Sequence, residues 1–154
     1  MSEIVVYMTI LIAAAIPFFE ATFAVPIAVL GGTNVFLTII SGVFGNFLTI
    51  VLVVIFSEKV RNWFIRNKES RRSRRAESIW KNFGFYGFVL FGPILLSSHV
   101  AAIAAVSFGA TKTKTVLYIT LSLIIWTVPL AILAYFGMDL LGLEDVRFLD
   151  RFLN

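Results

Sequence analysis

Residues 34–56 read NVFLTIISGVFGNFLTIVLVVIF, a run that contains no charged side chain. A helix needs about 20 apolar residues to cross a bilayer core of about 30 Å. A second run of this kind, TVLYITLSLIIWTVPLAILAYFGM, occupies residues 115–138. Both runs are therefore predicted to be transmembrane helices.

The composition of the whole chain agrees with a membrane location. Hydrophobic residues make up 59% of the 154 positions and charged residues 14%, whereas soluble domains contain about 45–50% apolar and about 25% charged residues. The absence of cysteine excludes disulfides, thiolate ligands and cysteine nucleophiles. One histidine and nine acidic residues are little material for a metal centre. We expect one integral membrane domain over residues 1–154, with no metal or other cofactor.

Two further apolar stretches precede the spans, and both are interrupted. Residues 4–32 contain Pro17 and Pro26, and residues 82–111 contain Pro93 and several glycines. Proline removes a backbone donor and clashes with the preceding turn, so each stretch is predicted to be a broken helix. Each is either a re-entrant hairpin of two half-helices or a single kinked span.

The distribution of charge favours the hairpins. Residues 57–81 carry nine basic and three acidic side chains, which the positive-inside rule places in a cytoplasmic loop. With two hairpins, Lys112 and Lys114 also lie in the cytoplasm, and both termini lie outside. With four kinked spans, these lysines lie outside and the acidic tail over residues 139–154 lies inside. The four-span arrangement remains the alternative.

The two halves of the chain share one order of elements. Each half consists of a hairpin and a span: 4–32 and 34–56 within residues 1–56, and 82–111 and 115–138 within residues 82–138. A shift of 77 positions aligns the halves and sets Glu20 opposite Ser97. The expected fold is an all-α membrane protein built as an inverted repeat of a re-entrant broken-helix hairpin and a transmembrane helix. A C-terminal amphipathic helix is predicted for residues 139–154.

Residues 18–50 resemble a known family. Phe19-Glu20-Ala21-Thr22-Phe23-Ala24-Val25-Pro26, followed by Gly31 and by Gly45-Asn46, is similar to the signature of the small multi-drug export proteins of prokaryotic membranes. Gly92-Pro93 resembles the second glycine- and proline-bearing loop of that family. The chain departs from the signature at Thr22, where the family has an arginine. The resemblance implies export of an unspecified substrate. More distantly, the layout resembles the DedA-type membrane proteins linked to lipid-carrier transport.

Glu20 is the strongest candidate for a functional residue. It is the single charged side chain within residues 4–56, and the hairpin interpretation places it near the apex, at membrane depth. A charge in hydrocarbon is costly and usually faces a polar cavity, so Glu20 is expected to carry protons. The alternative is a structural role, in which Glu20 caps exposed hairpin backbone.

His99 lies with Ser97 and Ser98 in the matching apex. Histidine changes its charge near neutral pH, which suits a proton relay; the alternative is a neutral imidazole that satisfies carbonyls freed by Pro93.

Gly42 and Gly45 are predicted to allow close helix packing, and Asn46 either lines a site or joins that contact. The predicted substrate or proton pathway consists of Glu20, Thr22, Pro26, Asn46, Pro93, Ser97, Ser98 and His99.

The basic segment suggests contact with lipids. Clusters of basic residues beside a span attract anionic headgroups, which would involve Arg71, Arg72, Arg74 and Arg75; the alternative is that they only determine topology. Nucleic acid is an unsuitable partner, because membrane spans flank the segment. Since two spans and two hairpins enclose little volume, we expect a homodimer or a larger homo-oligomer.

Three functions fit these features. The favoured one is a small transporter in the cytoplasmic membrane, which exports or translocates an amphipathic or lipid-like substrate in exchange for protons. The alternatives are a passive channel and a structural or assembly protein. An enzyme is not expected, because no nucleophile-elbow pattern accompanies Ser98 and His99.

Overall fold

The computed structural model describes residues 3–56 and 71–141, and these residues form six α-helices with no strand among them. The helices are α1 (Glu3–Ala15), α2 (Ala21–Leu30), α3 (Val35–Ile55), α4 (Arg71–Leu95), α5 (Ser98–Ser107) and α6 (Lys112–Leu141). The all-α prediction is confirmed for this part of the chain. The tail beyond residue 141, with its predicted amphipathic helix, lies outside the described residues.

The two predicted spans are continuous helices. Both α3 and the Lys112–Gly137 part of α6 are long and apolar enough to cross a bilayer. On α3, large apolar side chains at every fourth position are exposed, whereas small and polar residues are buried. The exposed residues are Phe36, Ile40, Phe44, Leu48 and Leu52, and the buried ones are Thr38, Gly42, Gly45 and Asn46. An apolar outer face and a polar inner face suit a helix surrounded by lipid.

The first interrupted stretch forms two short helices. The break lies between Ala15 and Ala21 and contains Pro17 and the positive-φ residue Phe18 (φ 75°). Pro26 lies inside α2, so only one of the two prolines coincides with the break. The two helices pack against each other, with Val6 and Ile10 of α1 against Ala28 of α2.

The second stretch is also broken, but not at its proline. Pro93 lies within α4, and the helix is interrupted at Ser97, whose φ of 122° is incompatible with an α-helix. A second irregularity lies at Gly84, where φ of 63° and ψ of −168° interrupt α4. Glycine adopts such angles without a steric penalty. Helices α4 and α5 pack against each other.

Helix α4 begins within the segment that the sequence analysis treats as a loop. Residues 71–81 are helical. Ala76 and Ile79 are buried on one face, and the ring of Trp80 lies 5.5 Å from Phe88 and 5.0 Å from Phe108. Packing of this apolar face holds the turns in place despite the charge of the other positions.

The local backbone of the two halves repeats at a shift of 77 positions. This shift carries α2 onto α5 residue for residue and the start of α3 onto the start of α6. Both α2 and α5 end in the same turn, with φ of 99° at Gly32 and 101° at Gly109. The next residue then donates its N–H to the carbonyl five residues earlier, at 3.3 Å in the first half and 3.0 Å in the second. These are the bonds of a Schellman motif.

The chain divides into two compact units. Unit 1 consists of the described parts of Met1–Asn46 and Ile124–Asn154, and unit 2 of those of Phe47–Leu123. Each unit thus contains one packed pair of helices, α1 with α2 or α4 with α5. Each also contains the N-terminal part of the apolar span that follows the pair and the C-terminal part of the other span. The boundaries after Asn46 and Leu123 are also 77 positions apart.

Candidate functional site

The carboxyl group of Glu20 is buried at the start of α2. Glu20 is the residue that precedes the first turn, and its carbonyl oxygen accepts hydrogen bonds from the N–H groups of Phe23 (3.0 Å) and Ala24 (2.9 Å). Its side chain is only 2% exposed and makes no capping hydrogen bond to α2. The carboxyl group therefore does not cap α2, and whether it binds other backbone of the break stays a prediction.

Other polar side chains are buried in unit 1. Thr22 lies in the first turn of α2 and Asn46 on α3, and both are buried, whereas Pro26 is half-buried. The Thr33 hydroxyl lies 2.7 Å from that of Thr38 and donates to the Ala28 carbonyl at 2.8 Å. Thr33 and Thr38 thus join the end of α2 to the start of α3, at the end of α2 opposite to Glu20.

Glycines bring α3 close to the two short helices of unit 1. A Cβ atom at Gly42 would contact the side chain of Val25 in α2, and one at Gly45 would contact the backbone carbonyl of Leu11 in α1. The predicted packing role of these glycines is confirmed. Asn46 follows Gly45 and is completely buried; whether it also lines a pathway stays a prediction.

A second polar group is buried in unit 2, at the start of α5. Ser97 precedes the helix, and Ser98 and His99 form its first turn; all three are buried. The Nε2 atom of His99 lies 2.8 Å from the Thr49 hydroxyl of α3, and its Nδ1 atom lies 3.4 Å from the Ser98 hydroxyl. Two hydroxyl groups therefore hold the imidazole.

The backbone near Pro93 has a different partner. Pro93 is buried, and the carbonyl of Leu90, three residues earlier, accepts a hydrogen bond from the Ser122 hydroxyl at 2.8 Å. A neighbouring serine often satisfies a carbonyl beside a helix proline. Whether His99 satisfies a carbonyl freed by Pro93 stays a prediction.

Residues 20–128 match the family described as "Putative small multi-drug export protein". The match covers more than two thirds of the chain and begins at Glu20 itself. The chain belongs to this family. No significant match is found among curated proteins or among solved structures. The resemblance stated from residues 18–50 is confirmed, and every predicted pathway residue falls within the part that matches the small multi-drug export proteins.

The structure groups the predicted pathway residues by half. Glu20, Thr22, Pro26 and Asn46 belong to unit 1, and Pro93, Ser97, Ser98 and His99 belong to unit 2. At the 77-residue shift, Glu20 corresponds to Ser97 and Thr22 to His99, so the equivalent positions of this small multi-drug export protein differ in chemistry.

Thr49, the partner of His99, is not among the predicted pathway residues; from sequence it could either hydrate a pathway or bond back to a carbonyl of its own helix. Thr49 follows Thr38, Gly42 and Gly45 at intervals of three or four residues, which places all four on one face of α3. This row of small and polar residues in the sequence indicates that Thr49, like the two glycines, faces a neighbouring helix. Arg74 and Arg75 are exposed, and their contact with lipid stays a prediction, while the side chains of Arg71 and Arg72 lie outside the described part.

Proposed function

We propose that this protein is a small transporter that moves an amphipathic or lipid-like substrate across the membrane in exchange for protons bound by Glu20. The buried carboxyl group at the break between α1 and α2 carries the proposal. A carboxyl group in an apolar tract is expensive when charged and is usually retained for ion or substrate traffic. Broken helices frame the binding sites of many secondary transporters.

The local surroundings of Glu20 suit a group that changes its charge. Exposed N–H groups give the start of a helix a partial positive charge, which favours the ionised carboxylate when water or a cation reaches it. Exclusion of water favours the neutral carboxyl group. Thr22 and Asn46 supply buried hydrogen-bonding groups within the same unit.

Re-entrant hairpins are part of the proposal. Helices α1, α2 and α5 have 13, 10 and 10 residues, which correspond to about 20, 15 and 15 Å at 1.5 Å per residue. None reaches the length of about 30 Å that a bilayer core requires. The packing of α1 on α2 and of α4 on α5 suits two hairpins, and the 77-residue correspondence supports an inverted repeat.

The topology can be tested in this cysteine-free chain. We place it in the cytoplasmic membrane with residues 57–81 in the cytoplasm and both termini outside. Four variants, each with a single cysteine in place of Ser2, Ser70, Thr113 or Phe152, are treated in intact cells with a thiol reagent that does not cross the membrane. We expect labelling at positions 2 and 152 and protection at 70 and 113, with all four labelled after lysis. Labelling of position 113 from outside would contradict the second hairpin.

Reconstitution distinguishes the three functions. Ethidium and a fluorescent short-chain phospholipid serve as alternative probes in proteoliposomes with an imposed proton gradient. A proton-coupled transporter moves at least one probe in a way that stops when a protonophore collapses the gradient. A passive channel conducts regardless of the gradient, and a structural protein moves neither probe.

We further propose that the protein works as a homodimer or a larger homo-oligomer. The helices of the described part enclose little volume, so a pathway wide enough for a substrate would need a second copy to complete it. Native mass spectrometry is expected to give a mass of at least two chains, both in mild detergent and in nanodiscs. A monomeric mass in both media would refute this arrangement.

A further inference from the structure

Unit 2 contains an apolar groove that the proposed transport does not use. It runs between the C-terminal part of α3 and the N-terminal part of α6, and its volume is about 410 Å³. Phe47, Val51 and Val54 form one wall and Val116, Leu117 and Leu121 the other. Volumes of this order are typical of sites that bind small molecules. The apolar walls suit a hydrocarbon chain.

A lysine lies at one end of this groove. Lys112 is the first residue of α6, and its ammonium donates a hydrogen bond of 3.4 Å to the carbonyl oxygen of Ile55, the last residue of α3. An ammonium has three N–H donors, so this bond leaves two for a ligand. Within residues 3–56 and 71–141, no carboxylate forms an ion pair with Lys112.

We propose that the groove holds an acyl chain of a membrane phospholipid whose anionic headgroup is bound by Lys112. The wall from Phe47 to Ile55 is about 12 Å long at 1.5 Å per residue, so a chain can extend from the headgroup into the groove. Positive charge at the mouth and apolar walls behind it match the two parts of an anionic lipid. The inference does not depend on transport or on Glu20.

Helix geometry supplies a matched control for the charge. Lys112 lines the groove, as do Val116 and Thr120 one and two turns later. Lys114 is also exposed but lies about 200° further around the helix, on another face. Lys112→Gln and Lys114→Gln therefore remove the same charge from the same turn, and only the first removes it from the groove.

The test measures lipid binding by native mass spectrometry on the purified protein. Phosphatidylglycerol and phosphatidylcholine with identical chains are titrated separately. One basic residue near a headgroup is worth about 1 kcal/mol, or about fivefold in affinity. We expect Lys112→Gln to lose about fivefold in the preference for phosphatidylglycerol, and Lys114→Gln to keep the preference of the unmodified protein.

Three outcomes would overturn the proposal. Equal binding of both lipids by the unmodified protein would show that the headgroup charge is not recognised. Equal loss in both variants would show attraction by surface charge alone. Finally, the unmodified protein could bind neither lipid while the Leu117→Cys variant forms a disulfide between two chains. That result would show that a second copy covers the groove.

A variant that fills the groove tests the acyl chain separately. Val116→Trp is expected to lower the affinity for both lipids at least tenfold, because the indole occupies the space of the chain. Leu133→Trp, at an exposed apolar position of the same helix, is the control and should bind as the unmodified protein does. Unchanged binding by Val116→Trp would overturn the proposal, and the lysine pair decides the matter if this variant does not fold.

Discussion

Replacement of Gly45 by alanine is expected to lower the free energy of unfolding by about 1–3 kcal/mol, the usual effect of overpacking a tight contact. An added Cβ would lie 2.9 Å from the carbonyl carbon of Leu11 and 3.1 Å from its Cα atom, and closer still to the carbonyl oxygen. These are backbone atoms, which cannot rotate away as a side chain can. Helix α3 must then move from α1, and the packing of unit 1 is weakened.

Gly137→Ala is the control for this effect. Gly137 also lies in a long helix, but a Cβ there would meet nothing within 4 Å. Alanine is favoured over glycine in a helix by about 0.5–1 kcal/mol, so this variant should be neutral or slightly more stable. Unfolding in increasing denaturant, followed by far-ultraviolet circular dichroism in detergent micelles, compares the two. Equal midpoints for both variants would show that α1 and α3 do not depend on the close approach at Gly45.

The long helices could be predicted from sequence because the signal for each lies within one segment. Charge-free runs of sufficient length identify α3 and α6, and no distant contact is needed to explain them. The position of each helix break was less predictable. Pro26 and Pro93 lie inside helices, whereas Ser97, which has no helix-breaking side chain, separates α4 from α5. The Ser122 hydroxyl of another helix donates to the Leu90 carbonyl in the turn before Pro93, and a contact of this kind cannot be recognised in local sequence.

At the start of α4, the many basic residues drew attention away from a helical pattern in the same segment. The basic residues of 57–81 dominate the pattern, and they indicate topology rather than secondary structure. Within the same segment, Ala76 and Ile79 occupy one helical face, and Glu77 forms an i,i+4 ion pair with Lys81 at 2.8 Å. Both features indicate a helix, although Trp80 gains its aromatic partners only in the folded chain.

The candidate site was predicted one residue at a time, and the contacts within it were not. Glu20 and His99 are conspicuous as ionisable groups in apolar stretches. The contact of His99 with Thr49 joins residues 50 positions apart, and only the packing of α5 against α3 brings them together. The correspondence of Glu20 with Ser97 and of Thr22 with His99 was visible in the sequence. That these pairs occupy equal places at the start of two equal helices required the structure.

Replacement of Glu20 by glutamine is expected to abolish proton-driven transport without loss of the fold or of the oligomeric state. The glutamine side chain has nearly the same shape as that of glutamate, but it cannot bind or release a proton near neutral pH. Because the unmodified side chain is 2% exposed and makes no capping bond to α2, removal of its charge should leave that helix intact. The flux of ethidium or of the fluorescent phospholipid under an imposed proton gradient measures the effect, and Glu20→Asp should keep part of the activity with a shifted pH optimum.

Glu3→Gln is the control for this substitution, since it makes the same chemical change at an exposed position of the same unit and should transport normally. A buried charge costs about 2.5–3.5 kcal/mol at the centre of a membrane helix on insertion scales, so an acidic residue with no function there should be replaceable at a gain in stability. If Glu20→Gln is more stable and no longer transports, the carboxyl group is retained for proton coupling. If Glu20→Gln transports as well as Glu3→Gln across the neutral pH range, a titrating carboxyl group is unnecessary and the proton-coupled mechanism is wrong. If the fold is lost in Glu20→Gln but kept in Glu20→Asp, the carboxylate stabilises the break between α1 and α2.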